Sequence, residues 1–236
     1  MEIDPEKYWG VITGDVIGFS GLDVSVRRRM PQVMVDAGKD LCRALGPIMP
    51  WDADVFRGDG WQVLVAEPAG VLRAALFFRA YIIAAAGDDG VDSRMAIGIG
   101  PVDYVPDGNI AAGDGGAYRA SGSLLEKMDS SRHGRLRLGF ANPPGALPAF
   151  GLPDEALMDA LVRVAGALGD RWRSRRARAV VGALKGWSQA RIAESWPTRI
   201  SRQAVGKHLE HAGWHAIAHA VAVFEDKMAC LTPREN

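Results

Sequence analysis

The stretch "YWGVITGDVIGF" (8–19) alternates apolar and small or polar positions with the period of a strand and carries a Gly-Asp inside it. A helix is expected within residues 24–45, with Pro31 near its start, where proline tolerates the first turn. "ADVFRGDGWQVLV" reads as a hairpin, because Gly-Asp-Gly between two alternating runs suits a tight turn. "GVLRAALFFRAYIIAAA" (70–86) reads as a buried helix, "SRMAIGIGPVDYV" (93–105) as a strand, "AYRASGSLLEKMD" (117–129) as a helix and "RLRLGFA" (135–141) as a last strand. The order strand, helix, hairpin, helix, strand predicts an α+β chain built on a ferredoxin-like sandwich, one sheet with helices on one face.

A different pattern follows. "ANPPGALPAFGLPDE" (141–155) holds four prolines, which interrupt helix and sheet alike. The expected division is therefore a first domain over 1–141, a linker over 142–153 and an all-α domain over 154–236. In "SQARIAESWPTRISRQAVGKHLEHAGW" (188–214), Ser188 and Ser201 are placed to cap two short helices separated by a turn near Pro197. Ile192 and Ala193 face inward from the first helix, and Val205 and Leu209 share one face of the second. Arg202, Gln203, Gly206, Lys207 and Glu210 are left outside. That is the pattern of a helix-turn-helix, whose second helix presents early polar residues to base edges while its other face packs.

Charge sharpens this reading. The chain has no net charge, yet between Arg171 and His215 ten Lys or Arg stand against Glu194 and Glu210, a net of +8 that leaves −8 for the rest. Such asymmetry points to a basic module that meets a polyanion, here double-stranded DNA. Arg176 and Arg191 are candidates for phosphate, and Ser201, Arg202, Gln203 and Lys207 for the reading helix.

Composition excludes several classes. The acidic start "MEIDPEKYW" does not read as a signal peptide, and the apolar run 74–86 is too short to span a bilayer and carries Arg79. No membrane association and a cytoplasmic location are expected. Cys42 and Cys230 form neither a disulfide framework nor a metal cluster. His208, His211, His215 and His219 are spaced for one helix face, but Gly213 and Trp214 interrupt the series, so zinc is not expected. Trp9, Trp51 and Trp61 read as packing residues, and Arg132 and His133 as surface charge in a turn.

Gly-Asp occurs five times, at Asp15, Asp59, Asp88, Asp114 and Asp170, so the dipeptide alone has no meaning. Asp15 differs by lying in a strand, where an acid is poorly placed unless solvated, paired or bound to a cation. If the first strand pairs with the hairpin, Asp15 and Asp59 converge at one end of the sheet. Two carboxylates with phosphate oxygens suit Mg²⁺, or Mn²⁺ in its place.

"GDVIGFSGL" (14–22) is similar to the first-strand signature of class III nucleotide cyclase domains, "FRGDGWQVLV" (56–65) resembles their Gly-Asp hairpin, and "RMAIGIGPVDYV" (94–105) resembles the strand that follows. The resemblance covers roughly residues 8–141. It implies that Asp15 and Asp59 bind the metal and that the amides of Ile17, Gly18, Phe19 and Ser20 cradle nucleotide phosphates. With its C-terminal part the whole chain resembles SatD-like proteins, which pair a divergent domain of this type with a helix-turn-helix. Active cyclases carry an Asn and, four residues on, an Arg in the helix after a Gly-Asp. Here that region reads "GDGGAYRASGSLLEK" (113–127), leaving Arg119 as the candidate catalytic residue, and the family's adenine-reading Lys falls near Val55. Two expectations follow: a DNA-binding regulator whose cyclase-like domain senses or processes a nucleotide with Mg²⁺, or an active nucleotide cyclase or nucleotidyltransferase. Either is expected to be a homodimer.

Overall fold

The computed structural model describes residues 3–4, 7–128, 134–141 and 153–231. Arg132, His133 and all of the 142–153 segment except Pro153 lie outside the described residues. The strands are β1 (Trp9–Val16), β2 (Asp54–Phe56), β3 (Gly60–Val65), β4 (Ser93–Gly100), β5 (Val102–Tyr104), β6 (Asp114–Gly115) and β7 (Leu136–Phe140). The helices are α1 (Val24–Leu45), α2 (Val71–Ala86), α3 (Gly116–Lys127), α4 (Glu155–Gly169), α5 (Ser174–Leu184), α6 (Gln189–Glu194), α7 (Arg202–His211) and α8 (Trp214–Met228). The class is α+β.

The main sheet runs β2-β3-β1-β4-β7, antiparallel throughout except for the parallel pair β4–β7. Its first four strands, joined through α1, a hairpin and α2, have the order of a ferredoxin-like unit. Period two sorts the strands into two faces. Ile12, Val16, Trp61, Val63, Met95, Ile97 and Leu138 pack with α1 and α2, and Trp61 stacks on Phe78 at 4.0 Å. Val11 and Leu64 point the other way, into a smaller cluster with Ile110 and Ala117.

Three expectations change. Helices cover both faces, because α3 lies on the second one. The cause is Gly98, whose missing side chain lets the α3 backbone approach: a Cβ there would land on the Ala117 carbonyl oxygen and 2.6 Å from the Ser121 nitrogen. Gly98→Ala is expected to cost about 1 to 3 kcal/mol as an overpacked site. Urea unfolding checks this, and an unchanged midpoint would contradict the close packing of α3.

Pro31 lies well inside α1, not near its start. The buried positions Val26 and Met30 anchor the turns that precede it, and tertiary packing outweighs the helix bond that proline cannot make. The expected strand 93–105 breaks after Gly100, since Pro101 has no N–H to continue the ladder, and the chain resumes in the small β5–β6 sheet.

Helix α2 is apolar on all sides and 13 of its 16 residues are buried, so it needs cover beyond the sheet. That cover comes from the C-terminal helices. A single hydrophobic cluster runs from Ile12 through α2 to Val180, Val205, Ile217 and Met228. The stretch Pro68–Ala86 has the length and hydropathy of a membrane span, and most of it is buried in this core. Polar ties join the same elements: Arg73 with Glu225 at 2.7 Å, Lys185 with Asp40 at 2.6 Å, and Ser174 donating to the Ala84 carbonyl at 3.0 Å.

Candidate functional site

Strand pairing brings the two aspartates together. Asp15 is the register partner of Gly60, and the carbonyl of Asp59 accepts the Val16 N–H at 3.0 Å. The positive backbone angles of the hairpin fall on Arg57 (φ 55) and Gly58 (φ 89), so the turn itself does not call on Asp59. Among the described residues, the Asp59 carboxylate makes no hydrogen bond or ion pair.

Asp15 is engaged. Its cross-strand partner in β4 is Arg94, whose Nε and Nη2 hold its two oxygens at 2.8 and 2.9 Å, while Nη1 donates to the Met128 carbonyl at 2.6 Å. This bidentate fork fills the oxygens a cation would use. A cation at Asp15 would have to displace Arg94, and the described residues contain no group of three or more His, Cys, Asp or Glu arranged for a metal.

The turn after β1 begins at Gly18, which is left-handed (φ 64) and leads into a short helical turn over Phe19–Gly21. The Ile17 N–H donates to the Asp92 carbonyl at 2.9 Å. Arg119, exposed in the first turn of α3, pairs with Asp114 at 2.8 Å and Asp103 at 3.5 Å and makes no bond to Asp15 or Asp59. Tyr118 beside it is buried, its hydroxyl has no partner among the described residues, and burial pushes its pKa up.

The basic part is more completely formed. The Ser188 side chain accepts from the Arg191 N–H at 3.2 Å and the Ser201 side chain from the Ala204 N–H at 3.1 Å, so both expected caps are made. Ile192, Ala193, Val205 and Leu209 are buried, while Arg202, Gln203 and Lys207 are exposed on α7. Arg191 lies over the Trp187 ring at 4.5 Å, with the Lys185 ammonium at the same distance. Arg176 donates to the Arg171 carbonyl at 2.9 Å. Gly213 (φ 73) ends α7 and starts α8, separating His208 and His211 from His215 and His219 as expected.

Sequence reasoning missed one feature of this region. His208 stacks on Trp196 with ring centroids 5.6 Å apart. Burial, then Arg175, Arg176 and His211, hold its pKa below the ordinary histidine value. The folded chain therefore binds fewer protons than the unfolded one just below the unfolded pKa. His208 costs stability as pH falls through that window and is neutral above it.

No family model and no curated protein matches the chain. Among solved structures it is similar to the crystal structure of the guanylyl cyclase Cya2, at 14% identity and a TM-score of 0.42, over 58% of this chain and 77% of that one. A likeness at that level leaves any assignment to this chain's own residues.

Proposed function

We propose that the chain is a DNA-binding regulator, with α6 and α7 as a helix-turn-helix and the sheet as a divergent nucleotide-cyclase-type domain that senses or processes a nucleotide. One observation carries it: α7 is capped at Ser201, buries Val205 and Leu209, and leaves Arg202, Gln203 and Lys207 exposed on its outer side. A solvated helix would not need that face to sit within a segment of net charge +8. The turn between the helices, from Ser195 to Ser201, is longer than in many such motifs and is held by Trp196 against His208. A homodimer would give two reading helices for paired half-sites. The direct test is selection of bound sequences from a random duplex pool.

For the sheet domain, Asp15 and Asp59 are the residues that would hold Mg²⁺ or Mn²⁺, and a dication there would neutralise nucleotide phosphate oxygens. Arg94 competes for Asp15. Calorimetry with Mn²⁺ and a nucleoside triphosphate is expected to show weaker binding in Asp59→Asn and tighter binding in Arg94→Met, which frees the Asp15 oxygens. Equal affinity in wild type and Asp59→Asn would return Asp59 to a bystander role. The backbone proximity of Asp15 and Asp59 at one end of the sheet also favours the second reading, an active nucleotide cyclase or nucleotidyltransferase. It ranks below the first because Arg119 is tied to Asp114 and Asp103. Product analysis with each triphosphate separates the two.

A further inference from the structure

His208 and His211 of α7 face Arg173, Arg175 and Arg176 at the start of α5 across an open cleft of about 370 Å³, with Asp88 as its one acid among the described residues. The cleft continues past His208 and Arg175 into a hollow of about 400 Å³ lined by Arg178, Trp196 and the turn to Ile200. Among the described residues Arg173, Arg175 and Arg178 make no ion pair, and Arg176 is bonded to a carbonyl only. Gathering these cations around a single acid costs free energy, and Arg175 and Arg176, after burial, help hold the His208 pKa below its ordinary value.

An anion entering the cleft removes that cost. Guanidinium forks match the oxygens of a phosphate, and a phosphate beside His208 offsets the arginine charge that adds to burial in disfavouring its protonation. We propose that this cleft is a phosphate-binding site that takes backbone phosphates of the duplex read by α7, and that His208 takes up a proton as a phosphate enters. The groups facing His208 are Arg173, Arg175, Arg176 and Arg178 from α5 and its start, His211 from α7, and Asp88 from the loop after α2. The duplex as the source of phosphate rests on the DNA-binding reading; the phosphate site itself does not.

The experiment has two arms on the full chain. In the first, proton NMR follows the His208 ring titration with and without inorganic pyrophosphate, and the midpoint is expected to rise. In the second, duplex affinity is measured from pH 6 to 7.5 for wild type, His208→Gln and Arg175→Gln. Uptake of one proton predicts binding weaker at the upper end in wild type, by up to about thirtyfold. His208→Gln should be nearly flat, and Arg175→Gln, at an exposed site that does not disturb the Trp196 stack, should bind more weakly throughout. Duplex binding without pH dependence, together with an unmoved His208 midpoint, overturns the inference and leaves the DNA reading intact. A raised midpoint with no duplex binding at any salt overturns the DNA reading and the duplex assignment, and leaves a site for small phosphates.

Discussion

Replacing Arg79 with Met is expected to lower the free energy of unfolding by about 3 to 5 kcal/mol, the range for removing one partner of a buried ion pair. Arg79 is fully buried in the middle of α2. Its Nε and Nη2 hold both oxygens of Asp92 at 2.9 Å, Nη2 also reaches Asp170 at 2.6 Å, and Nη1 donates to the Gly166 carbonyl at 2.6 Å. Asp92 precedes β4, whereas Gly166 and Asp170 belong to the end of α4. One guanidinium therefore ties the sheet to the C-terminal helices. Without it, Asp92 keeps, among the described residues, Arg135 and the Ser93 N–H.

The double variant Arg79→Met/Asp92→Asn should recover part of the loss, since the amide leaves no uncompensated charge behind. Arg79→Lys should fall between, because an ammonium cannot span Asp92, Asp170 and Gly166 together. Urea unfolding of the three variants measures this. A loss under about 1 kcal/mol in Arg79→Met, the size of a surface pair, would contradict the placement of Arg79 at the centre of one core.

Local pattern made much of this molecule legible in advance. The hairpin at Gly58, the serine caps of α6 and α7, the burial of Val205 and Leu209 and the break at Gly213 depend on neighbours within a few residues. The strand order, and with it the pairing of the Asp15 strand with the hairpin that carries Asp59, followed from counting elements. What escaped was set by residues far apart in sequence. Nothing near Gly98 announces that α3 will lie against it, and Pro31 sits inside α1 because Val26 and Met30 are buried in the main core. Arg79 looked like an interruption of an apolar run, but its partners lie 13 and 91 positions away. Arg94 was visible as a residue, and its grip on Asp15 depends on the β1–β4 register. The cleft around His208 joins α5, α7 and the loop after α2, and charge counting showed only that the segment was basic.

Duplex binding is expected to fall steeply with salt, because six to ten neutralised phosphates cost about 10³ to 10⁵ in affinity between 50 and 200 mM. Loss of one phosphate-contacting arginine, such as Arg191 or Arg176, should weaken all sequences alike and reduce the salt slope by about one unit. Arg202, Gln203 and Lys207 should behave differently. Arg and Lys match guanine edges and Gln matches adenine, so replacing one should cost about 1 to 3 kcal/mol at its own base pair and relax preference there. The measurement that decides is selection of bound sequences from a random duplex pool by wild type and Gln203→Ala, with a salt titration of the enriched site. A motif that loses preference at one position in the variant, with affinity falling steeply in salt, is the predicted result; no enriched motif and a salt-insensitive affinity would contradict the DNA-reading role of α7.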